Sequence, residues 1–325
     1  MSPFISVVIP TYNRPVLLLK CLEALTRQSY PVNRFEIIVV SDGPDETTSQ
    51  AVAAFSQQQA VPIHMLALPA KRGPAAARNM GWKHSQAELI AFTDDDCLPE
   101  PQWLRAFSDV YRITGKRNIA MTGQTLVPRT NPPTDYEQTI ADLEKAEFIT
   151  ANCATTRRAL EMINGLDEAF TMAWREDSDL QFQCIKHGIR IYPVRQACVT
   201  HPVRKASWGR CLHEEKKGMF DALLLKKHPE LCREKLHFRP PELYYAMILF
   251  FLAGIAGTIT NNIPLLYFSL TTWLMLVLYF TWKRLQHTAH TPKHITEMLF
   301  TSAWIPFLSV YWHGYGSIRF RSFCI

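Results

Sequence analysis

Ile5-Ser6-Val7-Val8-Ile9-Pro10-Thr11-Tyr12-Asn13 is the stretch on which the fold turns. Its first five residues are almost wholly apolar, β-branched and not alternating with polar ones. A strand covered on both faces needs that pattern, and strands of parallel sheets are covered in this way. Working outward, further apolar runs occupy residues 35–40, 63–68 and 89–92, and all but 63–68 are continuous. Segments with helical spacing lie between them, at 16–28, 47–59 and 75–84. Strand and helix in alternation predict an open α/β sheet with helices on both sides.

Ligands of such sheets bind at the carboxyl ends of the strands. The first strand runs into Pro10-Thr11-Tyr12-Asn13, the second into Ser41-Asp42-Gly43 and the fourth into Thr93-Asp94-Asp95-Asp96. Polar or acidic clusters therefore stand where a pocket is expected. Three adjacent carboxylates repel one another and favour a compensating cation. In extended backbone Asp94 and Asp96 would point the same way and serve one ligand together. Oxygen ligands suit Mg²⁺ or Mn²⁺. A solvated acidic loop capping the next helix is the plainer alternative. Further on, a strand is expected at 119–126 and helices at 156–163 and 178–187, the last following Arg175-Glu176-Asp177.

These segments together resemble family 2 glycosyltransferases of the GT-A fold, a Rossmann-like nucleotide-diphospho-sugar transferase architecture. The resemblance rests on the opening strand through Arg14, on Val39-Val40-Ser41-Asp42-Gly43, and on Gly73-Pro74-Ala75-Ala76-Ala77-Arg78-Asn79. It continues through Ala91-Phe92-Thr93-Asp94-Asp95-Asp96, Asn164-Gly165-Leu166-Asp167-Glu168 and Arg175-Glu176-Asp177-Ser178-Asp179-Leu180, in the family's order over about residues 4–201. It implies an inverting, metal-dependent enzyme that takes sugar from a nucleotide-diphosphate donor, a UDP-sugar, and passes it to a hydroxyl. Pro10, Thr11, Tyr12, Asp42, Arg78, Asp94 and Asp95 would then line the donor nucleotide. Asp96, with Asp94 and His201, would hold Mg²⁺ or Mn²⁺, and Asp177 would be the general base. Plainer roles stay open: Asp42 in a turn, Arg78 on a helix surface, Asp177 or Ser178 as a helix N-cap, Asp179 as a first-turn charge. No Gln-x-x-Arg-Trp follows Asp177, so transfer of one sugar is expected rather than polymer extrusion. The alternatives are a polyprenyl-phosphate sugar transferase and a non-catalytic membrane scaffold that keeps the fold.

The 325 residues carry a net charge of +6, much of it in 216–239 and in Lys283-Arg284. Those groups flank two nearly charge-free runs, about 243–260 and 263–282, close to the ~20 residues that a bilayer span requires. Basic flanks favour an anionic membrane surface over nucleic acid and place both ends of a helical hairpin in the cytosol. The expected division is a catalytic domain over 1–235 and a membrane region over 236–325. Residues 295–312 are expected to form an amphipathic helix in the membrane interface. The eight cysteines form no framework spacing, and no signal peptide opens the chain, so reduced thiols and a cytosolic catalytic domain on an inner membrane are expected. An acceptor that is a lipid-linked glycan or a surface polysaccharide precursor fits such an anchor.

Overall fold

The computed structural model describes residues 4–115, 118–236 and 240–323. Cys324, Arg239 and the first three residues, all used in the sequence reading, lie outside the described residues. The chain forms two compact units, Met1–Pro128 with Ala141–Val203, and Arg129–Ile140 with Arg204–Ile325.

The first unit is built on an eight-stranded sheet. Its strands are β1 (Ile5–Thr11), β2 (Phe35–Ser41), β3 (Ile63–Ala67), β4 (Leu89–Thr93), β5 (Leu98–Pro99), β6 (Ile119–Leu126), β7 (Asn152–Thr156) and β8 (Arg190–Thr200). They lie in the order β3-β2-β1-β4-β7-β6-β8-β5. The first four in that order are mutually parallel, and β7 runs against both its neighbours. The helices are α1 (Pro15–Thr26), α2 (Glu46–Ser56), α3 (Pro74–His84), α4 (Trp103–Thr114), α5 (Asp135–Ala141), α6 (Arg157–Ile163) and α7 (Glu176–Lys186), α5 being shared with the second unit.

Alternation along the strands feeds two cores. Ile5, Val7 and Ile9 of β1 join Ile37, Val39, Leu89 and Ala91 against α1 and α4. Val8 joins Ile38, Val40, Ile90 and Phe92 against α3, α6 and α7. Both faces are covered, which is why β1, β2 and β4 read as continuous apolar runs. β3 is an edge strand and only partly buried. The β1–β4 ladder stops at Val8 and Phe92. Pro10, which has no N–H to donate, sits beyond that point and is tolerated in an interior strand. The two strands part there, and their polar ends open the space in which the site is built.

α4, β7 and β8 escaped the sequence reading. β8 is polar along much of its length, and its bulge against β6 falls between Gly123 and Gln124. Asn152 fills that irregularity, donating from Nδ2 to the carbonyls of Gln124 (2.8 Å) and Ala197 (3.1 Å) while accepting from Trp103 Nε1 (2.8 Å).

The second unit contains α8 (Arg210–Glu214), α9 (Met219–Lys227), α10 (Pro229–Lys235), α11 (Glu242–Ile259), α12 (Ile263–Leu285) and α13 (Pro292–Phe320). A 3-10 turn at Glu215–Gly218 separates α8 from α9. By contacts, 204–235 belongs with these helices, whereas the break in composition places a boundary near 235. The reason is that α13 packs on α9, with Gly316 seated against the Met219 backbone.

α11 and α12 are long and apolar enough to cross a membrane, about 27 and 35 Å at the helical rise. Asn262 caps α12 by accepting from Leu265 N–H at 3.1 Å. Gly257 lets the two helices approach so closely that a Cβ there would stand 2.8 Å from the Leu266 nitrogen. Small residues at a helix crossing are typical of packing in lipid. α13 extends past the expected 295–312 at both ends and carries Pro306 inside it.

Candidate active site

The site grows from the ends of β1, β2 and β4 and from the first turn of α7, all within the first unit. Asp42 follows β2 and is 6% exposed. Its N–H is donated to the Thr11 carbonyl (2.8 Å), and its Oδ1 accepts the N–H groups of Arg72 (2.7 Å) and Gly73 (2.8 Å). Asp42 thus fixes the turn that launches α3. Gly73 is required there, with φ of 99° and space so tight that a Cβ would lie 2.6 Å from the Thr171 carbonyl oxygen. Tyr12 is half-buried, with the Lys71 ammonium 4.3 Å from its ring centroid.

The three aspartates after β4 do not continue as a strand. Asp95 and Asp96 form a turn closed by Cys97 N–H to Asp94 carbonyl at 3.1 Å. The expectation that Asp94 and Asp96 share one direction is therefore corrected, because it assumed extended backbone. The three carboxylates diverge. Asp94 accepts from Arg78 Nη2 at 2.6 Å. Asp95 accepts from Thr11 Oγ1 (2.8 Å) and Arg14 Nη1 (3.2 Å). Asp96 Oδ1 lies 3.7 Å from His201 Nε2. Burial drives the Asp95 carboxyl up to about 6, with Arg14 opposing and Asp96 adding to the rise.

Arg78 departs from the role implied for it. Its side chain is 2% exposed, and its second Nη group donates to Glu176 Oε1 at 3.2 Å. A guanidinium buried this deeply and shared by two carboxylates is not placed to meet a nucleotide base. It links the end of β4 to the start of α7 instead. Asn79, next to it, receives Leu166 N–H (3.0 Å) and Trp82 Nε1–H (2.9 Å) and donates to the Leu166 carbonyl (2.8 Å) and Glu168 (2.9 Å). Two of the sequence motifs, at 73–79 and 164–168, are thus partners in one packing contact.

α7 begins at Glu176, after Arg175 in the left-handed region at φ 71°. The N-cap is Arg175, so neither Asp177 nor Ser178 caps the helix. Asp177 Oδ1 accepts Ser178 N–H at 2.7 Å. Glu176 is 3% exposed and was missed in the sequence. Its carboxyl is pushed up to about 7 by burial and by the neighbouring Asp177 charge, against the pull of Arg78. Asp177 is raised too, mainly by burial, while Ser178 N–H and Arg175 hold it down. The signal available was the pair itself, since two adjacent carboxylates in one turn demand a cation nearby.

Asp96, Cys97 and His201, all buried, offer ligand atoms within 4.8 Å of one another, the single such group among the described residues. Asp94, expected in the ligand set, is outside it, and Cys97 was not expected. His201 follows β8, donates its N–H to the Leu126 carbonyl (2.8 Å), and has a buried Nδ1 with no hydrogen-bond partner among the described residues. Two ligands 2.0–2.1 Å from one ion lie about 3 to 4.2 Å apart, depending on the angle. The 3.7 Å between Asp96 and His201 fits.

A profile of glycosyl transferase family 2 matches residues 6–174, just over half of the sequence. The chain belongs to glycosyl transferase family 2. Among relatives, this family 2 member is 37% identical to glycosyltransferase AglE of Haloferax volcanii over 125 residues, 38% of each chain. It is 26% identical to the probable glycosyltransferase YdaM of Bacillus subtilis over 281 residues, 80% of this chain and 66% of that one. These alignments span less than two thirds of the relatives' lengths. The fold is similar to that of the mannosyltransferase PcManGT from Pyrobaculum calidifontis, solved with GDP-Man and Mn²⁺. That likeness has a TM-score of 0.57 and 19% identity, covering 94% of this chain and 88% of the other. The sheet and its helices are those of the GT-A fold.

Proposed function

We propose that the protein is an inverting glycosyltransferase that moves one sugar from a nucleoside-diphosphate-sugar to an acceptor hydroxyl. The observation carrying this reading is a continuous chain of contacts at the sheet's rim. Asp42 meets Thr11, Thr11 meets Asp95, and Asp94 meets Arg78, which reaches Glu176 beside Asp177. Residues far apart in sequence are brought to one place, in a chain that belongs to a glycosyltransferase family.

Asp96 and His201 would hold a divalent cation, Mg²⁺ or Mn²⁺, and the PcManGT complex with Mn²⁺ supports a metal in this fold. When bound, such an ion supplies positive charge to the diphosphate of the leaving group. Pro10, Thr11, Tyr12 and Asp42 frame the donor nucleotide, and Asp94 and Asp95 stand beside it. Arg78 has a different part, holding Asp94 and Glu176 at fixed separation. Asp177 takes the proton from the acceptor hydroxyl as its oxygen attacks the anomeric carbon opposite the leaving group, which inverts that carbon. Its raised affinity for protons suits a base working near neutral pH.

The α11–α12 hairpin anchors the enzyme in a membrane, with the catalytic domain on the cytosolic side of an inner membrane. α13 lies in the interface. Its inward side carries Thr301, Ser302, Ser309 and Gly316, and its outward side exposes Phe300, Trp304, Tyr311, Tyr315 and Ile318. Aromatic residues turned outward beside two apolar spans fit a lipid boundary. A membrane-held enzyme gains most from a lipid-linked acceptor, whose effective concentration confinement raises.

The test is nucleotide release from a panel of nucleotide sugars by the membrane-embedded protein, with Asp177→Asn alongside. Turnover with one donor by the wild type, and its near-complete loss in the variant, supports the reading. A variant as active as the wild type points to a phosphate acceptor, which needs no base. Absence of turnover with every donor and a membrane extract as acceptor leaves a non-catalytic scaffold.

A further inference from the structure

The metal centre contains one donor that the transfer reaction does not need. A hard ion such as Mg²⁺ or Mn²⁺ takes oxygen ligands by preference. Cys97 nevertheless places its sulfur in the same cluster as Asp96 and His201, every ligand atom within 4.8 Å of the others. Cys97 is 0% exposed and His201 8% exposed, so the three donors sit away from bulk water. The His201 ring turns its Nε2 toward the cluster, 3.7 Å from Asp96 Oδ1.

Carboxylate, imidazole and thiol together are the donor types of zinc, not of magnesium. Zinc bonds of about 2.0–2.3 Å in tetrahedral arrangement put ligand pairs about 3.3–3.7 Å apart. Asp96 and His201 already stand at 3.7 Å. The other pairs lie within 4.8 Å, so the centre has to contract by about 1 Å at most.

We propose that Asp96, Cys97 and His201 form a site for Zn²⁺ in which Cys97 is a ligand, so that zinc blocks the centre instead of serving it. The inference rests on the metal site proposed above and adds a third ligand to it. On binding, a zinc–sulfur bond forms, the Cys97 S–H bond breaks, and its proton leaves to the solvent. Asp96 and His201 are then occupied, and Mn²⁺ is excluded from them. For sites of mixed N and S donors Zn²⁺ outranks Mn²⁺ in affinity.

The experiment uses the full-length protein in detergent, with CoCl2 as a coloured stand-in for zinc and ZnCl2 and MnCl2 titrated separately. The expected result is a thiolate-to-cobalt charge-transfer absorption in the wild type that is lost in Cys97→Ser and in Cys97→Ala. Zinc affinity should fall in both variants by at least about 100-fold, beyond what loss of an outer-shell partner costs, with manganese affinity changed by less than about 3-fold. Zinc should also displace manganese from the wild type. Cobalt bound without a thiolate band, or a band that persists in both variants, overturns the role of Cys97 and leaves the manganese site standing. Binding of none of the three ions removes the metal site itself, and this inference with it.

Discussion

At the scale of single residues, the account rests on how each carboxylate is compensated. Arg78 is enclosed between Asp94 and Glu176, and removing one partner of a buried charge cluster costs ~3–5 kcal/mol. Arg78→Leu is therefore expected to lower stability by about that amount at pH 8 in denaturant melts. The loss should be smaller at pH 6, where Glu176 takes a proton and its charge disappears. The sign in the wild type follows from the same group. Its pKa in the folded chain, about 7, lies above the ordinary ~4.3 of the unfolded chain, so the folded state binds more protons between these values. This contribution to stability declines as pH rises through that window. In catalysis, removing the base itself by Asp177→Asn should lower kcat by ~10²–10⁴-fold at every pH.

At the scale of elements, much could be read beforehand, for definite reasons. β1, β2 and β4 were visible because helices cover both faces, and α1 and α2 because one stripe of each meets the core, whereas α3 is buried nearly all round. The clusters at the strand ends were visible as well. Their directions were not, because a turn at Asp95-Asp96 overrides the alternation that an extended strand would impose. Glu176 and Cys97 were hidden behind better-marked neighbours, Asp177 and the aspartate run, and Arg78 read as a donor ligand until its burial was seen. The 73–79 and 164–168 motifs looked like separate signatures, but Asn79 binds them together. Asn79→Ala leaves Leu166 N–H and Trp82 Nε1–H without their acceptor, and is expected to cost ~2–4 kcal/mol. Asn79→Asp keeps the acceptor but sets a second oxygen against the Leu166 carbonyl and the Glu168 carboxylate, so it should not recover this. Gly73→Ala is expected to unfold the turn before α3, because both φ and the Thr171 backbone forbid a Cβ. Thermal melts of the purified variants measure both effects.

At the scale of the whole molecule, the chain combines a GT-A unit with a second unit that holds two candidate spans. If α11 and α12 cross the bilayer, the protein should resist extraction by alkaline carbonate. Deleting 242–285 should release it into the soluble fraction or to carbonate-sensitive binding through α13 alone. A full-length protein extracted completely by carbonate would rule out the spans and leave surface attachment. The central claim, however, is that Asp96 and His201, from separate strand ends, hold one divalent cation that binds a nucleoside diphosphate. The direct test is calorimetric titration of the full-length protein with a panel of nucleoside diphosphates, with and without Mn²⁺, beside Asp96→Ala. One nucleotide should bind the wild type at least ~10-fold more tightly with Mn²⁺ present, a gain that Asp96→Ala abolishes. Binding that is equal with and without Mn²⁺, or a full manganese effect in Asp96→Ala, would contradict it.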